Sequence, residues 1–122
     1  MSSTASPRAT WETYTESWKV SDPAERRSLY EASLLVDCTY TDPLVDLRGW
    51  DALEAYTTDF HSQVPGGHFV TRWFQEHHGR AVAAWDMVAG DGTTIGEGIS
   101  HVRLGEDGRL AAMTGFFDTP TV

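Results

Sequence analysis

The residues best suited to chemistry in this sequence are one carboxylate, Asp42, and three hydroxyl groups, those of Tyr14, Tyr40 and Ser100. Asp42 stands directly before Pro43, at the end of a short predicted strand. A carboxylate held away from water beside an apolar substrate can take a proton from carbon or activate a water molecule. The alternative is a structural role, because Asp-Pro is a common turn pair in which the Asp caps the following loop. We expect Asp42 to act as a general base in a pocket.

Each hydroxyl has a role to play beside that carboxylate. Tyr40 precedes Asp42 by two residues, so both side chains leave a strand on one face, where the phenol would orient the carboxylate. Tyr14 would donate a hydrogen bond to a developing enolate oxygen. Ser100 would orient a substrate oxygen or hold a water molecule. The structural alternatives are core packing for the two tyrosines and, for Ser100, a small residue that leaves room.

Large apolar residues recur on the same predicted faces. Aromatic side chains mixed with Gly, Ala and Ser on strands suit a concave surface that leaves space for a ligand, although close packing into an ordinary core is equally consistent with the spacing. Together with Tyr40, the residues expected to form the apolar wall of a pocket are Trp18, Tyr56, Phe60, Trp85, Met87, Met113 and Phe117.

Other chemistries find little support in the sequence. Five histidines are present, but none has the H-x-x-x-H or H-E-x-x-H spacing of a metal site. Cys38 is the single cysteine, which excludes a Cys-based zinc site. Neither a Gly-rich phosphate loop nor a G-x-S-x-G nucleophile elbow occurs. We expect no metal and no cofactor. His101 would replace Ser100 in the pocket only if the strand register shifted by one residue.

Composition limits the class of protein and its partners. The 122 residues are typical of a single domain. Nine Lys and Arg against 18 Asp and Glu leave a net charge of −9, which argues against nucleic acid and anionic membranes as partners. No apolar run approaches the roughly 20 residues of a membrane span. The first ten residues lack an apolar signal segment, so we expect a cytoplasmic protein.

Two helices are predicted at the start of the chain. Ser6 caps the first, which begins at Pro7 and presents Trp11, Tyr14 and Trp18 on one stripe. Asp22 caps the second, with Pro23 next and Glu25 placed as in a capping box. The apolar stripe expected on the second helix consists of Leu29, Ala32 and either Leu35 or Val36.

The rest of the chain predicts a sheet interrupted by one more helix. A short strand covers residues 38–42, a loop or tight hairpin covers 44–49, and a third helix runs over 50–63. From His68 the period changes to two, which predicts strands at residues 68–76, 80–89, 94–104 and 109–117. The turns between them contain glycine and are short, so the strands should form an antiparallel meander.

This order of elements predicts an α+β protein whose helices gather on one face of a curved antiparallel sheet. The outer face would then expose Phe74, Ile99 and Phe116 beside Arg72 and His101. Those apolar residues need a cover, and a symmetric homodimer through the outer sheet face would supply it.

Five short segments of the chain form a recognisable set: Tyr40-Thr41-Asp42-Pro43, Arg48-Gly49-Trp50, Ser100-His101-Val102-Arg103-Leu104, Glu106-Asp107-Gly108-Arg109 and Gly115-Phe116-Phe117-Asp118. With these segments the chain resembles the nuclear transport factor 2-like superfamily, which includes ketosteroid isomerase and the SnoaL-like polyketide cyclases. The resemblance implies a cone-shaped, cystatin-like roll with three N-terminal helices packed on the concave face of the sheet. It implies one SnoaL-like domain over residues 1–122, with residues 1–6 flexible.

The same resemblance implies roles for individual residues. Asp42-Pro43 matches the Asp-Pro pair that carries the general base of ketosteroid isomerase, and Tyr14 matches its oxyanion tyrosine. Ser100 stands where that enzyme has a protonated Asp, so steroid isomerisation itself is not implied. We expect a cofactor-independent acid/base enzyme on a small hydrophobic carbonyl or polyketide-like substrate, of isomerase, cyclase or dehydratase type. The alternatives are a hydrophobic-ligand-binding or dimeric module without catalysis, and water activation on an epoxide.

Overall fold

The computed structural model describes residues 6–118, which form three helices and one six-stranded sheet. The predicted α+β class is confirmed. The expectation of flexibility for residues 1–6 falls, apart from Ser6, outside the described residues. The helices are α1 (Pro7–Glu16), α2 (Pro23–Ser33) and α3 (Trp50–Gln63); the strands are β1 (Leu34–Thr41), β2 (Asp46–Arg48), β3 (His68–His77), β4 (Arg80–Val88), β5 (Thr94–Leu104) and β6 (Leu110–Phe116).

The sheet has the strand order β2-β1-β6-β5-β4-β3. Strands β3 to β6 form the predicted antiparallel meander. The expectation of a purely antiparallel sheet is wrong at one place, because β1 pairs parallel with β6. The reason is topological: α3 and the meander separate these two strands in sequence, and a long connection lets the chain return in either direction. The result is a mixed, curved sheet.

The two predicted helix caps are present. The Ser6 hydroxyl accepts a hydrogen bond from the Ala9 N–H at 3.1 Å, and the Asp22 carboxylate accepts one from the Glu25 N–H at 2.9 Å. Each satisfies a backbone donor that a helix start would leave unpaired. The first helix is shorter than its apolar stripe, since Trp18 lies in the turn after α1 and is buried there.

The buried face of α2 differs from the prediction. It consists of Arg26, Tyr30 and Ser33. The helix stops at Ser33 because β1 begins at Leu34, which is fully buried. The expected apolar stripe is therefore wrong. Leu35 and Val36 lie on β1, and Leu29 and Ala32 are on α2 but are not buried.

An irregularity in β3 reverses one sequence prediction about the outer face. Thr71 pairs with Trp85, but Trp73 pairs with the next residue, Ala84, so Arg72 is an extra residue in the strand. Such a bulge exchanges the two faces beyond it. Phe74, expected outside, therefore packs against the core, and Trp73 is 43% exposed instead.

The core lies between the helices and the concave face of the sheet. Along one row of that face, Ala81, Val102 and Met113 are neighbours on β4, β5 and β6, and each is 2% exposed. This row is closed by packing, whereas the next row contains Ala83, Ser100 and Gly115 and leaves more space. None of the helices in residues 6–118 is long and apolar enough to cross a membrane.

Candidate functional site

A cavity of about 250 Å³ lies between α1, α3 and the concave face of the sheet. All but one of the residues predicted for the site line it, namely Tyr14, Trp18, Tyr40, Asp42, Tyr56, Phe60, Trp85, Met87, Ser100 and Phe117. The exception is Met113, which belongs to the closed row of the sheet and lies in the core. The cavity begins one row further along β6, where Gly115 contributes no side chain.

Asp42 lies in this cavity with four hydrogen-bond donors around its carboxylate. Oδ2 accepts from the Tyr40 hydroxyl at 2.7 Å and from the Tyr56 hydroxyl at 2.8 Å. Oδ1 accepts from the backbone N–H groups of Leu44 at 2.8 Å and Val45 at 3.1 Å. The residue is 8% exposed. Two carboxylate oxygens offer about four acceptor positions, so all of them are in use.

Asp42 occupies both of the positions that the sequence left open, a turn cap and a place on the pocket lining. Through Oδ1 the side chain caps the turn between β1 and β2, as Asp-Pro pairs often do. Through Oδ2 it accepts hydrogen bonds from two phenols of the cavity lining. One carboxylate thus closes a hairpin and contributes a polar group to the cavity.

The two phenols come from different elements. Tyr40 lies on β1, two residues from Asp42, and its hydroxyl donates to the carboxylate from the shared strand face. Burial raises the pKa of Tyr40 and Tyr56 well above the ordinary value of 10.0, and the hydrogen bond of each phenol to Asp42 raises it further. Both phenols therefore keep their protons and act as donors. Sequence spacing could not find the Tyr56 contact, because Tyr56 lies 14 positions after Asp42 and on a different element, α3.

Tyr14 brings a third phenol to the cavity from α1. It is 3% exposed, and burial raises its pKa above the ordinary 10.0, with hydrogen bonding from Trp18 acting in the opposite direction. Its hydroxyl is therefore a neutral donor. Tyr14 lines the cavity, as expected, and it also belongs to the buried stripe of α1, which was the structural alternative.

Ser100 enters the cavity, and its neighbour His101 is exposed on the other face. The indole Nε1–H of Trp85 donates to the Ser100 hydroxyl oxygen at 3.0 Å. Since that oxygen accepts this bond, the serine O–H is left to donate to a group in the cavity. Gly98 makes the contact possible, because a Cβ there would lie only 2.5 Å from the Trp85 ring.

Gly115 separates the two polar groups of the floor. An added Cβ at this position would lie 3.7 Å from the Asp42 Cβ and 3.8 Å from the Ser100 hydroxyl oxygen. These are ordinary contact distances, so a methyl group would fit at this position between Asp42 and Ser100.

Trp18 is the centre of the aromatic wall. Its ring centroid lies 5.3 to 6.0 Å from those of four other rings, in tilted or edge-to-face arrangements that favour aromatic pairs. The four are Tyr40, Tyr56, Phe60 and Phe69.

Two residues that sequence analysis did not single out, His61 and Arg26, hydrogen-bond to the backbone around Trp18. His61 Nε2 lies 2.6 Å from the Trp18 carbonyl oxygen, and Nδ1 lies 3.4 Å from the Arg26 guanidinium. A carbonyl only accepts and a guanidinium only donates, so Nε2 carries the proton and Nδ1 does not. Arg26 is buried and also donates to the carbonyl oxygens of Ser17 and Val20. No spacing in the sequence signals these contacts.

Sequence analysis also missed part of the lining. Asp59 and Gln63 of α3 follow Tyr56 by three and seven residues, a helical spacing that places them on the same side. This signal was available in the sequence. The other lining residues not predicted are Trp11, Thr15, Leu44, Val64, Phe69 and Gly115. Across residues 6–118, no group of three or more His, Cys, Asp and Glu side chains is arranged to hold a metal ion.

Comparison with known proteins agrees with this architecture. The family model described as "SnoaL-like domain" matches residues 11–113. A protein from Agrobacterium tumefaciens, provisionally assigned as an isomerase of the SnoaL-like family, is 26% identical with a TM-score of 0.83; the match covers 92% of this chain and 97% of that one. No curated protein matches at a significant level.

Two further structures are similar in fold alone. A protein from Jannaschia sp., provisionally described as a SnoaL-like polyketide cyclase, has 15% identity and a TM-score of 0.71 over 96% of this chain and 92% of that one. A nuclear transport factor 2-like protein of unknown function from Exiguobacterium has 15% identity and a TM-score of 0.72, over 91% and 99%.

Proposed function

Because the chain belongs to the SnoaL-like domain family, we propose that it is a cofactor-independent acid/base enzyme acting on a small hydrophobic carbonyl compound. The reaction is of isomerase, cyclase or dehydratase type, with Asp42 as the general base. The observation that carries this proposal is a buried carboxylate bonded to two phenols at the edge of an apolar cavity. A carboxylate that is itself buried, beside donors that can orient it, suits proton transfer from carbon.

The proposed step requires Asp42 to release one hydrogen bond. Tyr56 is the donor suited to move, because it comes from a separate element, α3, whereas Tyr40 lies on β1 two residues before Asp42. When a substrate carbonyl enters, the Tyr56 hydroxyl transfers its hydrogen bond from Oδ2 to the carbonyl oxygen. The vacated position on Oδ2 then accepts the α-proton. Negative charge develops on the substrate oxygen, where Tyr14 and Ser100 donate, and the proton returns at another atom.

The test is exchange of α-protons for deuterium in D₂O, followed by NMR, with 2-tetralone and 1-indanone as probes of the carbonyl class. Asp42→Asn should abolish exchange while ligand affinity changes little. The Asn oxygen can still accept from the Leu44 and Val45 N–H groups, and its NH₂ can donate to the two phenol oxygens, so shape and turn are retained. Asp51→Asn, at the exposed start of α3, is the control for loss of one charge.

Unchanged exchange in Asp42→Asn would overturn the general-base role. Tyr14→Phe should slow exchange by about a hundredfold to a thousandfold, the usual effect of losing one preorganised donor. No change in that variant would remove Tyr14 from the mechanism.

The second candidate is a binding protein for apolar ligands without catalysis. It is favoured by the full hydrogen bonding of Asp42, which matches a structural carboxylate as well as a base. Tight binding of both ketones, with no exchange in either, would favour it. Water activation on an epoxide is the variant in which Oδ2 takes the proton from a water molecule, and hydrolysis of styrene oxide would detect it.

We also propose that the protein is a homodimer through the outer face of the sheet. Cross-strand neighbours on that face form an apolar row of Trp73, Ala84, Ile99 and Phe116. Ile99 is 44% and Phe116 59% exposed. An apolar row of this kind on a sheet with helices on only one side needs a cover.

The charges on either side of the apolar row favour a second copy as that cover. On one side lie Asp86 and Glu97, which share Arg72. On the other side, two rows away, Arg80 lies opposite Arg103. A second copy turned so that its strands run in the opposite direction brings the acidic side of each copy toward the basic side of the other. The patch is therefore self-complementary, as a two-fold interface requires.

A further inference from the structure

Two carboxylates, Asp42 and Asp59, line the cavity, and none of its described lining residues is a Lys, Arg or His. We propose that the cavity discriminates among ligands by charge and that Asp59 makes a hydrophobic molecule carrying a protonated amine the preferred class. This inference rests on the proposed function only in taking the cavity as the ligand site. It does not depend on catalysis.

Asp59 is placed to meet a ligand at the rim of the cavity. It is exposed, on the turn of α3 that follows Tyr56. The Gln63 amide nitrogen donates to Asp59 Oδ2 at 3.0 Å, which orients the carboxylate and occupies one of its oxygens. Among the hydrogen bonds of residues 6–118, no side chain donates to Oδ1. Unlike Asp42, whose oxygens already have four donors, Asp59 can accept from a ligand.

The aromatic wall acts in the same direction as the carboxylate. Phe60 adjoins Asp59 in sequence, and its ring stacks on Phe69 at a centroid distance of 5.3 Å. The faces of aromatic rings carry negative charge density, which attracts an ammonium group and disfavours an anion. A protonated amine at the rim would thus meet the Asp59 carboxylate beside the aromatic rings of the lining.

The cationic side chain of Arg26 does not offset this pattern inside the cavity. Arg26 lies behind the wall, where it donates to the carbonyl oxygens of Ser17 and Val20, and the Nε2–H of its neighbour His61 donates to that of Trp18. A ligand carboxylate would have to lose its water near two like charges with no cationic partner on the described lining. Anionic ligands should therefore bind worst, neutral ones better and protonated amines best.

The experiment compares three molecules with one aromatic body: 1-naphthylmethylamine, 1-naphthalenemethanol and 1-naphthoic acid, which are cationic, neutral and anionic at pH 7. A two-ring body suits a cavity of about 250 Å³. Isothermal titration calorimetry should show the amine binding about fivefold more tightly than the alcohol, as expected for one exposed ion pair with a cation–π contribution. The acid should bind more weakly than the alcohol, and 0.5 M salt should reduce the preference.

Asp59→Asn should bring the affinity for the amine close to that for the alcohol. Asp51→Asn removes the same charge from the start of the same helix, away from the cavity lining, and should leave the preference intact. Equal binding of the amine and the alcohol, or a preference that survives Asp59→Asn, would overturn the charge inference and leave the ligand site standing. Binding of none of the three would overturn the cavity as a ligand site as well.

Discussion

The Tyr56 hydroxyl lies 2.8 Å from Oδ2 of Asp42, so a single hydrogen bond joins the middle of α3 to the end of β1. The same oxygen also accepts from Tyr40. Because both phenols donate to one buried oxygen, either can partly compensate for loss of the other. The effects of removing the two hydroxyls on the free energy of unfolding should therefore not be additive.

Tyr40→Phe and Tyr56→Phe should each lower the free energy of unfolding by about 1.5 to 3 kcal/mol, the usual contribution of a hydrogen bond to a charged group. The double variant should lose more than the sum, since Oδ2 would then be buried without a donor. Urea unfolding of the four proteins completes the cycle. Strict additivity would show that the two phenols do not share the carboxylate.

A methyl group at position 115 should reduce the cavity without harming the fold. Gly115→Ala places its Cβ 3.7 Å from Asp42 and 3.8 Å from Ser100, both ordinary contacts. We expect near-normal stability and loss of ligand affinity by about tenfold or more, because the added methyl occupies space where a substrate oxygen would bind. Calorimetric titration with 2-tetralone measures it.

The same substitution at position 98 should destabilise the fold. Gly98→Ala would bring a Cβ to 2.5 Å from the Trp85 ring and 2.7 Å from the Phe116 carbonyl oxygen. Stability should fall by about 1 to 3 kcal/mol, and the fluorescence of Trp85 should change as its contact with Ser100 is lost. Equal stability of the Gly98 and Gly115 variants would contradict the described position of the indole.

The free energy of unfolding should fall in alkali because two buried groups, Cys38 and Tyr30, resist losing their protons in the folded chain. Burial raises the pKa of the Cys38 thiol from 9.0 to about 11 and that of Tyr30 from 10.0 to about 12. The unfolded chain releases these protons at the ordinary pKa, whereas the folded chain retains them. Their stabilising contribution is therefore complete below pH 9 and is lost as the pH rises toward 11 and 12.

The slope should be about 1.4 kcal/mol per pH unit for each group titrating only in the unfolded chain. Urea unfolding between pH 8 and pH 10.5 measures it, and Cys38→Ala should reduce the slope between pH 9 and pH 10. A stability that stays constant to pH 10.5 would refute the prediction.

The homodimer can be tested at Ile99, an exposed position in the apolar row. Ile99→Glu introduces a charge in the apolar row between Ala84 and Phe116, where a partner would have to bury it. Light scattering after size exclusion should give a dimer mass for the original protein and a monomer mass for the variant at micromolar concentration. A monomer mass for the original protein would reject the dimer. Val36→Glu, which changes a residue that is 68% exposed and outside this row, is the control.

Strong local signals made much of the fold predictable. The third helix has the predicted bounds, Trp50–Gln63, because apolar spacing and a Val-Pro-Gly-Gly ending leave little choice. Alternation on β5 correctly predicted Ser100 inside and His101 outside. The bulge at Arg72 was not predictable, since one extra residue in a strand has no local signature strong enough to interrupt an alternating pattern.

In the candidate site, contacts within one strand could be predicted from the sequence, whereas contacts between distant elements could not. Tyr40 and Asp42 are two residues apart on one strand, so their contact follows from strand geometry. The contacts of Tyr56 with Asp42 and of His61 with Trp18 join elements far apart in the chain. They depend on how α3 packs over the sheet, which periodicity does not specify.

The hydrogen bonds from Leu44 and Val45 to Asp42 carry a consequence for mutational surveys. Any side chain at position 42 that cannot accept from these two amides leaves the hairpin with unpaired donors, so the amount of folded protein in a cell should drop along with any turnover. A library scored for abundance would then highlight this position as strongly as one scored for activity. Asparagine, which preserves the acceptor but not the charge, is the replacement for which the two scores should diverge.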